Sequence, residues 1–387
     1  MRFDLIIVGG GLAGLSLAVA LRAAPITIAI VEAGPAPVAP REPDWDSRIY
    51  ALSPANRCFL DDIGVWPRLE QRRLAPVTTM EIRGDAGGHL EFSAYDSGVT
   101  ELAWIIESAL LGSELWETAK RQGNVTLLCP AQPLRLDIGS EAAELALADG
   151  SVLEASLIVG ADGADSWTRH AAGMVANFTD YGEMGTVANF ACELPHHDCA
   201  RQWFRDDGVL AWLPLPGNRL SMVWATPDAH AQELLALPPR DLCARVAAAG
   251  NWRLGELSSL TPAAAFPLRL MRAPRCVGPR LALVGDAAHC IHPLSGHGIN
   301  LGLQDSLCLA QTLLERPPHV DLGDERSLRR YERNRREQVF VLQSATHALQ
   351  RLFKPRQAAL SWLRNTGLNL SNALPVVKDV LVRYALG

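Results

Sequence analysis

Three glycine-rich segments, far apart in the chain, carry acids at spacings suited to a phosphate-bearing cofactor. The first follows the apolar run Leu5 to Val8 and places G-x-G-x-x-G at Gly9, Gly11 and Gly14. A second apolar run ends at Glu32, 18 residues after Gly14. A glycine turn that opens a helix brings a pyrophosphate close to backbone N–H groups, and the later acid reaches a ribose hydroxyl. The segment predicts a dinucleotide site, against a ligand-free glycine turn as the alternative.

The other two segments also follow predicted strands. GADGADSWTR comes after the strand 155–159 and contains Asp162 and Gly163 in a pattern longer than an Asp-Gly turn needs. Gly285 and Asp286 follow the run Leu281 to Val284, at the carboxyl end of a strand, where ligands bind in open α/β sheets. Because the first segment opens a long chain, the set favours FAD over NAD.

The third segment continues through a glycine-rich loop into a predicted helix, 298–314. Pro293, Gly296 and Gly298 lead to the helix N-terminus, whose free N–H groups suit the pyrimidine end of a flavin. We expect the backbone at Pro293 and Gly298 to press against the flavin. His292 is either a proton relay or a packed, hydrogen-bonded histidine.

Composition limits the function classes. The chain has 387 residues, and its 36 basic and 42 acidic side chains give a net charge of −6, which disfavours a basic nucleic-acid surface. This length predicts two or three domains, and a hydrophobic content of 48% indicates a folded protein with a sizeable core. The eight cysteines form no CxxC pair and predict reduced thiols of a cytoplasmic protein. We find no apolar run long enough to span a membrane.

Periodicity predicts the elements that position these residues. Segments 78–93 and 186–226 contain period-two stretches typical of antiparallel sheet. Segments 105–121 and 298–314 are predicted helices. From Arg326 onward the chain is predicted to be mostly helical, with breaks at Pro355 and Pro375.

Taken in order, the three segments resemble the flavin-dependent aromatic hydroxylases, the class of para-hydroxybenzoate hydroxylase. DSRIYALS at 46–53 and HPLSGHGINLGLQD at 292–305 are similar to segments of the ubiquinone-biosynthesis hydroxylases, of the 2-octaprenyl-6-methoxyphenol hydroxylase type. The sequence departs from that family at Ser295, His297 and Gln304, where Ala, Gln and a basic residue are usual.

The resemblance implies an α/β fold like that of para-hydroxybenzoate hydroxylase. A discontinuous Rossmann-like FAD-binding domain would comprise 1–75, 101–176 and 277–327. A mainly antiparallel β-sheet substrate domain would comprise 76–100 and 177–276, and 328–387 would form a helical C-terminal region. The resemblance also implies the FAD contacts, namely Gly9, Gly11, Leu12, Ala13, Gly14, Glu32, Arg48, Asp162, Gly163, Gly285, Asp286, Pro293, Gly296, Gly298 and Asn300.

The implied activity is hydroxylation of a prenylated phenol in ubiquinone biosynthesis through a flavin C4a-hydroperoxide. It requires O₂ and electrons from NAD(P)H or a redox partner, and other proteins of the pathway are candidate partners. The alternatives are an FAD-dependent prenyl-lipid reductase and a flavin-binding scaffold without catalysis. We expect a cytoplasmic protein, with the periphery of the inner membrane as the alternative location, and no nucleic-acid partner.

Several side chains have both a functional and a structural interpretation. Neither the histidines of the third segment nor the cluster 196–199 has convincing metal-ligand spacing, so we expect no metal. The arginine run 326–336 indicates either a solvated helix with ion pairs or a contact with anionic lipid. Five side chains of the inferred substrate domain are candidates for the phenol site or for plain core: Trp203, Trp212, Met222, Trp224 and Phe266.

Overall fold

Apolar runs and the turns between them divide the chain into strands and helices. The computed structural model describes residues 1–85, 87–291, 298–353 and 365. Within these residues the strands are, in chain order, β1 (Arg2–Val8), β2 (Ile28–Val31), β3 (Ile49–Leu52), β4 (Ala75–Val77), β5 (Thr79–Arg83), β6 (His89–Ser93), β7 (Ala103–Glu107), β8 (Val125–Leu128), β9 (Pro133–Ile138), β10 (Ala143–Leu147), β11 (Val152–Gly160), β12 (Asn177–Cys192), β13 (Cys199–Arg205), β14 (Gly208–Leu215), β15 (Arg219–Pro227), β16 (Leu257–Ser259), β17 (Ala264–Arg272), β18 (Val277–Gly278), β19 (Leu281–Leu283) and β20 (His289–Cys290). The helices are α1 (Leu12–Ala20), α2 (Pro54–Asp62), α3 (Ser108–Lys120), α4 (Trp167–Ala171), α5 (Asp228–Ala236), α6 (Pro239–Ala249), α7 (Gly298–Leu314) and α8 (Glu325–Phe353).

The first sheet carries the cofactor motifs at one edge. Its strand order is β18-β19-β11-β1-β2-β8, and β9 and β10 extend it as a hairpin beside β11. The four pairings among β19, β11, β1, β2 and β8 are parallel. Both faces of β1 are covered, one by helices and one by the β9–β10 hairpin, and Leu5, Ile6 and Ile7 are fully buried. A strand buried on both faces explains the continuous apolar run in the sequence.

The second sheet has nine strands in the order β20-β17-β12-β15-β14-β13-β5-β6, with β16 beside β12. Its pairs are antiparallel apart from β13 with β5. One face of this sheet packs against α5 and α6. The other face packs against the small sheet β3-β7-β4. The third motif connects the two large sheets, because it lies between β19 of the first sheet and β20 of the second. Arg48 directly precedes β3 of the small sheet.

Most predicted elements of the described chain are confirmed. The helix 298–314 has the bounds of α7, and 186–226 is antiparallel sheet. The prediction of a helix over 105–121 is wrong at its start. Ile105 and Ile106 belong to β7, which is paired on both sides, and α3 begins at Ser108. Paired β-branched side chains suit a buried strand, and this tertiary pairing overrides the helical periodicity. The predicted domain limits remain a prediction.

The C-terminal part of the described chain is the 29-residue helix α8. The predicted breaks at Pro355 and Pro375 lie outside the described residues. All eight cysteines are free thiols. Among the helices that the structure describes, none combines the length and the apolar character that crossing a bilayer requires.

Candidate functional site: a flavin cleft at the sheet edge

The first motif is shaped by close contact of backbones. Gly9 has φ +109°, and a Cβ there would lie 2.4 Å from the Ala161 oxygen. A Cβ at Gly14 would lie 2.2 Å from the Gly9 oxygen, so α1 packs on β1 only because both positions are glycine. At Gly11, by contrast, the nearest atom to an added Cβ is 4.0 Å away. The space above Gly11 is open, as the approach of a pyrophosphate requires.

The N-terminus of α1 faces this open space. Its first backward hydrogen bond runs from Leu15 N to Gly11 O at 3.0 Å, which leaves the N–H groups of Leu12, Ala13 and Gly14 outside the helix ladder. No acidic side chain occupies the first turn and no side chain caps it. Free N–H groups and the helix dipole together make an anion site here.

Glu32 follows β2 directly, and its carboxylate is fixed by backbone. Oε2 accepts from Gly10 N and Oε1 accepts from Gly34 N, each at 2.6 Å. The side chain is half-buried at the edge of the cleft. The structure orients the acid beside the glycine turn, and the ribose contact of Glu32 stays a prediction.

In the second motif the carboxylate serves its own loop. Asp162 accepts hydrogen bonds from Ser166 Oγ at 2.5 Å, Thr168 N at 2.8 Å and Thr168 Oγ1 at 2.9 Å. These bonds hold the turn that starts α4. Gly163 has φ +85°, and an added Cβ would meet open space. The motif therefore presents backbone and a small residue to the cleft, while its acid is used internally.

The third motif differs because its acid accepts no hydrogen bond from any residue that the structure describes. Gly285 has φ +60° and turns the chain after β19. Asp286 is exposed by surface area. The protein atoms around it nevertheless desolvate the carboxyl and raise its pKa, while the charges of His289 and Arg48 lower that pKa. A carboxylate without a hydrogen-bond partner in the described residues fits the hydroxyl groups of a ribityl chain.

Arg48 is the basic side chain whose charge acts on both Asp286 and Tyr50. Its guanidinium lies 5.6 Å from the Tyr50 ring centroid, and its charge lowers the pKa of Tyr50, which burial raises more strongly. The backbone of this segment is fixed by Asp46, whose carboxylate accepts from Arg48 N at 2.9 Å and Ala109 N at 2.8 Å. A positive side chain on a fixed backbone thus lies close enough to Asp286 for its charge to lower the pKa of that carboxyl.

Asn300, which the resemblance places at the cofactor, holds protein segments together. Its Oδ1 accepts from Ser53 N and from Asn56 Nδ2, both at 2.9 Å, and its Nδ2 donates to Ala51 O at 2.8 Å. Gln304, a departure from the family pattern, donates to Asn56 Oδ1 at 2.9 Å. These bonds join α7 to β3 and α2, so the side chain of Asn300 positions the cleft wall.

The loop before α7 is only partly described. His292, Pro293 and Gly296, with His297, lie outside the described residues. Gly298 is the first residue of α7, and a Cβ there would contact no described atom within 4 Å. The space beside Gly298 is thus open on the side of the described chain.

Four of the five candidate substrate side chains are core. Trp203, Trp212, Met222 and Trp224 are buried and pack with Leu234 and its neighbours in α5 and α6. The Trp203 and Trp212 rings meet edge to face with centroids 4.9 Å apart. These four residues belong to the hydrophobic core and do not line the cleft, so the interpretation as plain core applies to them.

Phe266 lies on the opposite face of the sheet. It pairs with Gly185, whose neighbour Thr186 pairs with Trp224, so alternation places Phe266 and Trp224 on different faces. Phe266 is 42% exposed. The same face approaches the Arg48 segment, because Asn189 Nδ2 donates to Asp46 O at 2.8 Å. Phe266 is therefore the aromatic candidate that remains on the cofactor side.

Sequence reasoning also missed residues that build the cleft. Tyr50 lies within the quoted DSRIYALS segment, and Asp305 ends the quoted HPLSGHGINLGLQD segment. Their positions within those two segments were the sequence signals that could have identified them as residues of the site. Within the described ranges, no three His, Cys, Asp or Glu side chains are grouped for a metal ion.

The fold and the cleft together define a flavoprotein of the aromatic-hydroxylase class. Residues 2–344 match the family described as FAD binding domain, and the chain belongs to that family. It is 34% identical to 3-demethoxyubiquinol 3-hydroxylase of Escherichia coli, over 99% of this chain and 98% of that protein. It is also 34% identical to the ubiquinone hydroxylase UbiL of Rhodospirillum rubrum, over 99% and 89%.

A solved structure supports the same fold. HpxO of Klebsiella pneumoniae, in complex with FAD, superposes with a TM-score of 0.77 at 19% identity, over 99% of this chain and 98% of that chain. The cofactor of this chain is FAD, and the open glycine turn, the orphan N–H groups of α1 and the free carboxylate of Asp286 fit it.

Proposed function

We propose that this protein hydroxylates the aromatic ring of a prenylated phenol in ubiquinone biosynthesis, with O₂ and NAD(P)H or a redox partner. The observation that carries the proposal is similarity over almost the whole length to hydroxylases of ubiquinone precursors. When bound and reduced, FAD would activate O₂, which supplies the oxygen atom. The chain must hold the cofactor, orient the ring and exclude water.

Two walls of the cleft support this division of tasks. The three motifs form one wall. The other wall is the face of the second sheet that carries Phe266 and the partly exposed Ala211 and Val223. An apolar wall suits a prenylated ring and keeps water from the reacting atoms.

Product analysis tests the proposal. The FAD-loaded protein is incubated with a short-chain prenylphenol, NADH or NADPH, and ¹⁸O₂, and the organic extract is analysed by mass spectrometry. The expected product carries one labelled oxygen atom on the ring. Flavin reoxidation without a labelled product would favour the scaffold, and a product with a saturated prenyl double bond would favour the reductase.

Gly298→Val is the matched inactive variant. The added side chain meets open space among the described residues, so the FAD-free protein should melt within a few degrees of wild type. The side chain would occupy the approach of the flavin ring, and we expect no labelled product. Full activity of this variant would contradict the expected flavin contact at Gly298.

A lipid-tailed substrate favours a place of action at the surface of a membrane, with the periphery of the inner membrane as the candidate, or beside other proteins of the pathway. The exposed side chains of α8 favour membrane binding. Arg326, Arg333 and Arg336 are exposed, and Phe340, one turn after Arg336, is 61% exposed. Co-sedimentation with vesicles containing phosphatidylglycerol should exceed that with neutral vesicles. Equal sedimentation would argue against the membrane.

A further inference from the structure

A fully buried carboxylate lies directly behind the third motif. Asp305 of α7 is 0% exposed. Its Oδ2 accepts from Gly285 N at 2.9 Å and from His289 Nε2 at 2.6 Å. The two donors flank Asp286 in the chain, and Asp286 is the acid predicted to contact the cofactor. One carboxylate group therefore fixes both ends of the turn that presents Asp286.

The opposite charge comes from the C-terminal helix. Arg335 of α8, also buried, donates from Nε to Asp305 Oδ1 at 2.6 Å and from Nη2 to Leu301 O at 3.2 Å. His289 and Arg335 hold the pKa of the Asp305 carboxyl below its usual value against the effect of burial. A buried ion pair adds little net stability, because desolvation offsets the attraction. Its effect here is orientation.

Other α8 side chains bind the same stretch of backbone. Tyr331 OH donates to Leu283 O at 2.9 Å, just before the motif. Gln343 Nε2 donates to Cys290 O at 3.1 Å, just after it, and to Met271 O at 2.8 Å in the second sheet. Helix α8 thus holds the backbone before and after Asp286, and Asp305 holds the backbone beside it.

We propose that Asp305 and Arg335 are positioning residues for FAD, and that they act by holding the Gly285–Asp286 turn in place through a link between α7 and α8. Neither side chain needs to touch the cofactor. The inference depends on FAD binding, which is a property of the family, and is independent of the phenol that is hydroxylated.

The test compares the affinity of the FAD-free protein for FAD and for ADP, at a temperature where each variant is folded. In Asp305→Asn we expect the Kd for FAD to rise about tenfold or more, because a charge-assisted bond to the turn is lost. Binding of ADP, which uses the first motif, should change by less than about twofold. Arg335→Met should act in the same direction with a smaller change. A purely structural role would lower the melting temperature and leave both affinities unchanged, or weaken both alike.

The control is an ion pair at the opposite end of the first sheet, before β19 rather than after it. Arg280 Nη1 donates to Asp321 Oδ1 at 2.8 Å and lies at the start of β19, away from the motif. Asp321→Asn should leave both affinities unchanged. If Asp305→Asn does not fold, the double variant Asp305→Asn/Arg335→Met removes both charges and carries the same test. FAD affinity within about twofold of wild type in the folded Asp305 and Arg335 variants would overturn the proposal.

Discussion

The first and third motifs, which are both predicted to contact FAD, are held in shape by different means. The first is built from its own backbone, because Gly9, Gly11 and Gly14 let strand, turn and helix meet. The third is built from charges 20 and 50 residues away, because Asp305 and Arg335 support the turn at Gly285. The shape of the first motif therefore depends on local sterics, while that of the third depends on the packing of elements from other parts of the chain.

The largest effect should come from Gly14→Val. Its Cβ would overlap the Gly9 oxygen at 2.2 Å, so α1 and β1 could not pack, and we expect little folded protein and no bound flavin. Soluble expression and flavin absorbance provide the measurement. In the control Gly11→Ala, the backbone has φ −77° and the methyl group has room, so the protein should fold and lose only FAD affinity. Normal FAD binding by Gly11→Ala would break the steric account of the first motif.

Asp286→Ala should rank next. The free carboxylate is expected to make a charge-assisted hydrogen bond to the cofactor, worth about 1.5–3 kcal/mol, so the Kd for FAD should rise by about tenfold to a hundredfold. Compared with Asp286→Ala, Asp162→Asn should weaken FAD binding less and lower the melting temperature more, because the Asp162 carboxylate accepts hydrogen bonds from Ser166 and Thr168. Fluorescence titration with FAD measures both variants. Equal or reversed affinities would remove the distinction between the two acids.

The smallest effect concerns pH. Burial raises the pKa of the Asp286 carboxyl, so the ionised form costs stability in the folded state. The cost is absent below the unfolded value of about 3.9 and is present above the raised value. Asp286→Asn should therefore raise the melting temperature of the FAD-free protein by about 1–2 °C near neutral pH, with a gain that shrinks on acidification. A calorimetric gain that is constant with pH would contradict this origin.

The sequence predicted those features that local spacing determines. The strand before Gly9, the helix from Gly298 and the antiparallel stretch 186–226 all follow from periodicity and turn residues. The start of α3 was misplaced, because pairing of β7 on both sides decides the state of Ile105 and Ile106.

The site was predicted less completely. Period-two alternation separates the two faces of a strand, but it does not show which face lies towards the cofactor. For this reason the sequence does not distinguish Trp212 and Trp224 from Phe266 as candidate substrate side chains. The role of Asp305 depends on Arg335, thirty residues later on a different helix, and no local pattern links the two. Asn300 lies within a recognised motif, but its side-chain partners Ala51 and Ser53 come from the other end of the chain.

The contacts of α8 also imply an order in which the first and third motifs are completed during translation. During translation the glycine turn and Glu32 are synthesised well before Arg335 and Gln343. The contacts behind Asp286 form only after these two residues of α8 have left the ribosome and docked. A ribosome-bound chain that stops before Arg335 contains the first motif but lacks the arginine behind the third. We therefore expect the turn at Asp286 to become ordered later than the first motif.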